Sequence, residues 1–255
     1  IVASSIISFS FSQVVQAKAA QISHVAQTTA DYAVAQYKND MVESLRALVK
    51  HNTVAQDGVL VDENPAHIAF KAELKKQAQT LGFDYSDDGY VVVIGLGQQK
   101  ERVGIITHGD VQPVNPEKWQ QSPFELDSTT EPGRLIGRGT EDDKGPISTA
   151  LYAMKAIKDK NIHLNKRIEL YIYMAEESDW EPLKAYIKTH DLPQPNITID
   201  AEYPVVTAEK GYGTVKLVFN KQAMPTISPY ISAFTGGFFA SQIPEDASVT
   251  IENAN

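Results

Sequence analysis

His108 and Asp110 stand two residues apart where an apolar, β-branched run, Val103 to Thr107, gives way to a loop with two prolines. The pair suits a metal site. An imidazole can serve as ligand while a nearby carboxylate accepts its other N–H, which fixes the tautomer and raises the ring's basicity. Further acidic groups stand at comparable places. Asp142 lies in "GRGTEDDKGP", Gly137 to Pro146, which follows the short run Arg134 to Ile136 and leads into a helical pattern. Glu176 and Glu177 follow "RIELYIYM", and Asp200 closes "NITID". One histidine with several carboxylates is a borderline-hard donor set. It suits Zn²⁺, Mn²⁺ or Co²⁺ and not copper or iron–sulfur chemistry. An aspartate can bridge two such ions about 3.5–4 Å apart. Adjacent residues ending a strand point in different directions, so Glu176 and Glu177 should not share one job.

Each of these residues also has an ordinary reading. A histidine after a buried strand often only donates a hydrogen bond. Asp200 could cap a helix or turn, Glu141-Asp142-Asp143 could be solvated surface, and Glu176-Glu177 could complement a helix dipole. The metal reading rests on all of them together. His24, His51, His67, His163 and His190 match no such pattern and read as surface or packing residues.

The elements that must carry these residues alternate. Apolar residues near 3.6 spacing predict helices over Ala26–Lys50, His67–Leu81 and Gly145–Lys158, and a further helix is predicted over Trp180–His190. Gly82 ends the second, and Pro146 is acceptable in a first turn. Short β-branched runs predict buried strands over Tyr90–Gly95, Val103–Thr107, Arg167–Met174, Ile197–Asp200 and Gly213–Phe219. Alternation of this kind predicts an α/β fold, a mostly parallel sheet flanked by helices. Such sheets gather chemistry beyond the carboxyl ends of their strands, where His108, Glu176, Glu177 and Asp200 would meet.

Composition narrows the function classes. The chain has 255 residues, 42% apolar and 22% charged, as in a globular protein able to bury a core. A net charge of −9 without a long acidic tail argues against nucleic acid as a partner. No segment has the apolar length of a membrane-spanning helix. There are no cysteines, which excludes a disulfide scaffold, a thiolate metal site and a cysteine nucleophile. Residues 1–20 read as a secretory signal lacking its basic start, with small residues around Ala17-Lys18-Ala19, or else as an amphipathic or disordered segment. The signal reading predicts a periplasmic or secreted protein, with the cytoplasm as the alternative.

Four stretches in order, "THGDVQPV", "GRGTEDDKGP", "AEES" and "IDAEYPVVTAEKG", resemble the co-catalytic zinc peptidases that include PepV-type dipeptidases, carnosinases, aminoacylases and succinyl-diaminopimelate desuccinylase. The dipeptidase branch is the most similar, from about Tyr37 onward. The resemblance implies a two-zinc site. His108 and Asp200 would bind one ion, Glu177 the other, and Asp142 would bridge. Asp110 would orient His108, and Glu176 would be the general base. It also implies a cis peptide after Asp142. Trp119 and Ser122–Leu126 would pack the active-site loop. Lys210 falls near the site, without an assigned role.

Members of this family continue into a lid or dimerisation domain and then return to supply a last metal-binding histidine. This chain stops at Asn255, about where the lid would begin, and so reads as an N-terminal fragment. The expected layout is a catalytic portion over 21–222 and the truncated start of a lid over 223–255. The Ala247–Ile251 run would lack strand partners, and the tail from Pro225 should pack poorly. A small peptide is the expected substrate, with a homodimer through the missing lid as an open option. Two function classes remain: a metallohydrolase acting on dipeptides or on N-acyl-amino acids, and a non-catalytic metal- or peptide-binding protein.

Overall fold

The computed structural model describes residues 23–201, 206–208, 211, 213, 215–218, 228–237, 243, 244 and 246–253. The signal reading of residues 1–20 and Lys210 lie outside them. Three helices precede or interleave a sheet: α1 (His24–Val49), α2 (Pro65–Leu81) and α3 (Lys144–Asp159). Their ends follow local chemistry. Ser23 and Asn64 accept backbone N–H bonds as N-caps, and Gly82 closes α2 in the left-handed region at φ 71°.

The sheet contains β1 (Asp84–Asp87), β2 (Val91–Leu96), β3 (Arg102–His108), β4 (Arg167–Tyr173) and β5 (Asn196–Thr198), in the order β1-β2-β4-β3-β5. The β3/β4 and β3/β5 ladders are parallel, and β2 runs against β4 and β1. Four of the five strands therefore point the same way. The crossover through α3 sets β4 beside β3 with His108 opposite Tyr173. The exits that carry His108 and Glu176-Glu177 are thus neighbours.

Alternation along β4 divides the core. Leu170 and Ile172, with Met174 beyond the strand end, pack with Leu48, Phe70, Leu74, Ile147, Leu151 and Met154 from the three helices. Tyr171 and Tyr173 face the other way, toward Val91, Leu183, Tyr186 and Leu192. The first face is covered by three helices. The second is covered by α4 (Glu181–Tyr186) and the segment after it.

The structure corrects several sequence expectations. The helix predicted over Trp180–His190 is only Glu181–Tyr186; tighter turn bonds follow, such as Lys188 N–H to Ala185 O. The described residues of the Gly213–Phe219 run lie in no strand, and Val215, Leu217 and Val218 are exposed. Ala247–Ile251 does have a partner: β7 (Ala247–Glu252) pairs antiparallel with β6 (Tyr230–Gly236). β6 went unread because its identity as a strand rests on that pairing. The expectation of loose packing holds in one respect: every β7 residue and all of β6 beyond Tyr230 are exposed.

Candidate metal centre

His108 ends β3 and is buried. Its Nδ1 lies 3.0 Å from the main-chain oxygen of Asp110, and a carbonyl can only accept, so Nδ1 carries a proton. Nε2 then faces Asp142 Oδ1 at 2.8 Å and Asp200 Oδ2 at 3.6 Å. Ligand atoms around a tetrahedral zinc with bonds of about 2.0–2.2 Å stand roughly 3.3–3.6 Å apart. The Asp200 spacing matches that range, and the Asp142 spacing is that of a direct hydrogen bond to the histidine.

Asp110 plays a larger part than the orienting role predicted for it. Its carboxylate, 3.6 Å from His108 Nδ1, accepts the main-chain N–H of Glu176 on Oδ1 and of Glu177 on Oδ2, each at 3.0 Å. It is fully buried. One side chain at the exit of β3 therefore fixes the backbone at the exit of β4, and with it the directions of both glutamates. Gln112, also unassigned by sequence, donates to Glu177 Oε2 at 2.5 Å.

Among the described residues, two groups of side chains have ligand atoms within 4.8 Å of one another: His108, Asp142 and Glu177, and His108, Asp143 and Asp200. His108 belongs to both groups, with Asp142 and Glu177 in the first and Asp200 in the second. Asp143 is the addition. It follows Asp142 across a cis peptide bond, is fully buried, and accepts a hydrogen bond from Thr107. Asp142 itself leads out of a loop and not from a strand of the sheet. The 122–126 segment supports that loop: Arg138 N–H bonds Pro123 O at 2.7 Å, and Leu126 packs with Leu45 and Val49.

The electrostatics describe a cluster short of positive charge. Burial alone would lower the His108 pKa, but the Asp110 and Asp142 carboxylates override it and push the pKa up to about 12. The His108 hydrogen bond holds Asp142 below the usual carboxylate range. Burial, with the charge of Asp142 next, pushes Glu177 up to about 7, and burial pushes Asp143 up to about 7. Glu176 is also raised, chiefly by burial. Glu177 Oε1 and Asp143 Oδ1 are buried without a hydrogen-bond partner. Buried carboxylate oxygens need a proton or a cation. Nitrogen and oxygen donors in this number fit a divalent ion such as zinc.

Glu176 is set apart from this cluster. With Asp200 it lines a largely apolar cavity of about 290 Å³ walled by Tyr171, Tyr173, Leu183 and Tyr186. Trp180 Nε1 donates to its main-chain oxygen at 2.9 Å. Among the other histidines, His24, His163 and His190 are exposed and His51 is half-buried, whereas His67 is buried and hydrogen-bonded.

Residues 104–249 match the family described as Peptidase family M20/M25/M40. A Staphylococcus saprophyticus protein named "putative dipeptidase" is 31% identical over 220 residues, spanning 84% of this chain and 46% of its own length. A protein of the same designation from Staphylococcus aureus MRSA252 is 32% identical over 224 residues, 86% of this chain and 47% of its own. This chain thus spans about half the length of those relatives. Among solved structures, human carnosine dipeptidase 1 superposes with a TM-score of 0.57 at 20% identity, over 71% of this chain and 42% of that one. The di-peptidase Dug1p from Saccharomyces cerevisiae gives 0.52 at 21% identity, over 63% and 37%. At these identities the two structures speak for the fold.

Proposed function

This chain belongs to the Peptidase family M20/M25/M40, and from that premise we propose that the protein hydrolyses the amide bond of dipeptides with two zinc ions held at His108, Asp142, Glu177 and Asp200. The observation that carries the reading is the approach of Asp142 and Asp200 to one nitrogen of a buried histidine, at 2.8 and 3.6 Å. His108 and Asp200 would hold one ion and Glu177 the other, with Asp142 between them. When bound, divalent ions supply Lewis acidity, polarising a carbonyl and acidifying water.

The chain's own groups do the rest. Asp110 keeps the Glu176 and Glu177 backbone in place through two N–H bonds. Glu177 turns into the cluster, where its buried Oε1 has no other partner. Glu176 faces the cavity, and burial raises its proton affinity. A carboxylate with a raised pKa is suited to take a proton from water and return it to a departing amine. Glu176 is therefore the general base. The names of the relatives support dipeptides over N-acyl-amino acids as substrates. Export to the periplasm or beyond remains part of the proposal, resting on the composition of residues 1–20.

The experiment is hydrolysis of a dipeptide panel by the full-length gene product before and after chelation. Zinc-restorable turnover with two ions per chain is expected. Turnover that survives complete removal of metal would overturn the proposal.

A further inference from the structure

Three short segments meet behind the metal cluster. The first is the 51–53 segment after α1, the second carries His108-Gly109-Asp110, and the third carries Asp142-Asp143-Lys144. Lys144 is the first residue of α3 and is fully buried. Its ammonium crosses to the first segment, donating to His51 O at 2.7 Å, and lies 5.1 Å from the centre of the Phe70 ring. Its main-chain N–H bonds Gly139 O at 2.9 Å, closing the loop that presents Asp142. Thr53, also fully buried, reaches the second segment: its hydroxyl donates to Gly109 O at 2.7 Å. Its main-chain oxygen accepts from Val111 N–H at 3.2 Å and stands 2.9 Å from His67 Nε2.

The packing around these bonds leaves little slack. A Cβ on Gly109 would come within 2.4 Å of Phe70 and 2.9 Å of Met174 Sδ. A Cβ on Gly145 would come within 2.1 Å of the Thr140 carbonyl oxygen. Both glycines are therefore closely surrounded, one by the Phe70 ring and Met174 and the other by the Thr140 backbone. The two loops meet directly through the Thr107–Asp143 hydrogen bond, and each is also bonded to the 51–53 segment.

We propose that Lys144 and Thr53 are positioning residues, tying the His108 loop and the Asp142 loop to the 51–53 segment so that their ligands reach one ion. The inference rests on the metal reading above. Neither residue touches the cluster's ligand atoms; each acts through the backbone that carries them. Groups that orient metal ligands from behind typically change metal affinity by about 10–100-fold.

The test uses this 255-residue chain with Co²⁺ as the probe, following its visible absorption during titration. Lys144→Met keeps most of the stem and removes the ammonium. Thr53→Val keeps the shape and removes one hydroxyl. Lys144→Arg retains a donor that can reach the His51 carbonyl. Each of the first two should weaken Co²⁺ binding about tenfold or more and alter the absorption band. The melting temperature of the metal-free chain should stay near that of the parent, and Lys144→Arg should recover most of the affinity. If Lys144→Met fails to fold, Thr53→Val carries the test alone. Unchanged Co²⁺ affinity in the folded variants would overturn the inference, as would metal-free melting that falls in step with affinity. A parent chain that binds no Co²⁺ would instead overturn the metal reading on which it stands.

Discussion

At the scale of single residues, the two adjacent glutamates are the sharpest case. Asp110 clamps both of their main-chain N–H groups, so their side chains diverge from a fixed backbone. Glu176→Gln should retain metal and lose about 10²–10⁴-fold in turnover, the usual contribution of a placed base. Glu177→Gln should instead lower metal occupancy. Metal analysis beside steady-state kinetics on the full-length protein checks both; metal loss in Glu176→Gln with activity per ion preserved would reverse the roles. Asp110→Asn is expected to impair both functions. An amide has one acceptor oxygen where two N–H groups need acceptors, and its NH₂ would face a donor. A drop of about 10–100-fold in metal affinity is the expected scale. That His108 would lie near Asp142, Glu177 and Asp200 was legible from residue type and order. Asp143 was not. It is one of two neighbouring aspartates, and only the tertiary structure buries it against Thr107 and leaves Asp142 exposed.

At the scale of elements, the sequence was informative where one face of a helix or a whole strand is buried. α3 and β4 follow their patterns closely because Ile147, Leu151 and Met154 meet Leu170 and Ile172 across the core. β1 is polar, "DYSD", and becomes a strand only through its register with β2. β6 likewise depends on β7, a pairing that local pattern does not encode. α4 stops early, with β-branched Ile187 and Thr189 where further turns would lie and Pro193 beyond. The junction of β3 with α2 gives an element-scale prediction. Gly109→Ala would press a methyl group into Phe70 and Met174, at 2.4 and 2.9 Å. Overpacking of this kind costs about 1–3 kcal/mol, read as a lower midpoint in urea unfolding. A variant as stable as the parent would show that Phe70 moves aside freely.

At the scale of the whole molecule, the two sheet faces differ. One is covered by three helices, the other by a six-residue helix and the segment after it. Ile197 on β5 and Ile231, Phe234, Val249 and Ile251 on the β6–β7 pair are exposed. Apolar surface of that extent binds hydrophobic dyes and marks contact regions. The chain should enhance anilinonaphthalene sulfonate fluorescence while keeping its far-ultraviolet circular dichroism, and an absence of enhancement would mean that this surface is covered in solution. The central claim, that His108, Asp142, Glu177 and Asp200 hold two ions, is tested most directly by anomalous diffraction at the zinc edge on crystals of the full-length protein. The account predicts two peaks, one within about 2.0–2.2 Å of His108 Nε2 and an Asp200 oxygen and one as near to Glu177, with Asp142 reaching both. Zinc bound elsewhere, or a single peak that leaves out His108, would contradict it.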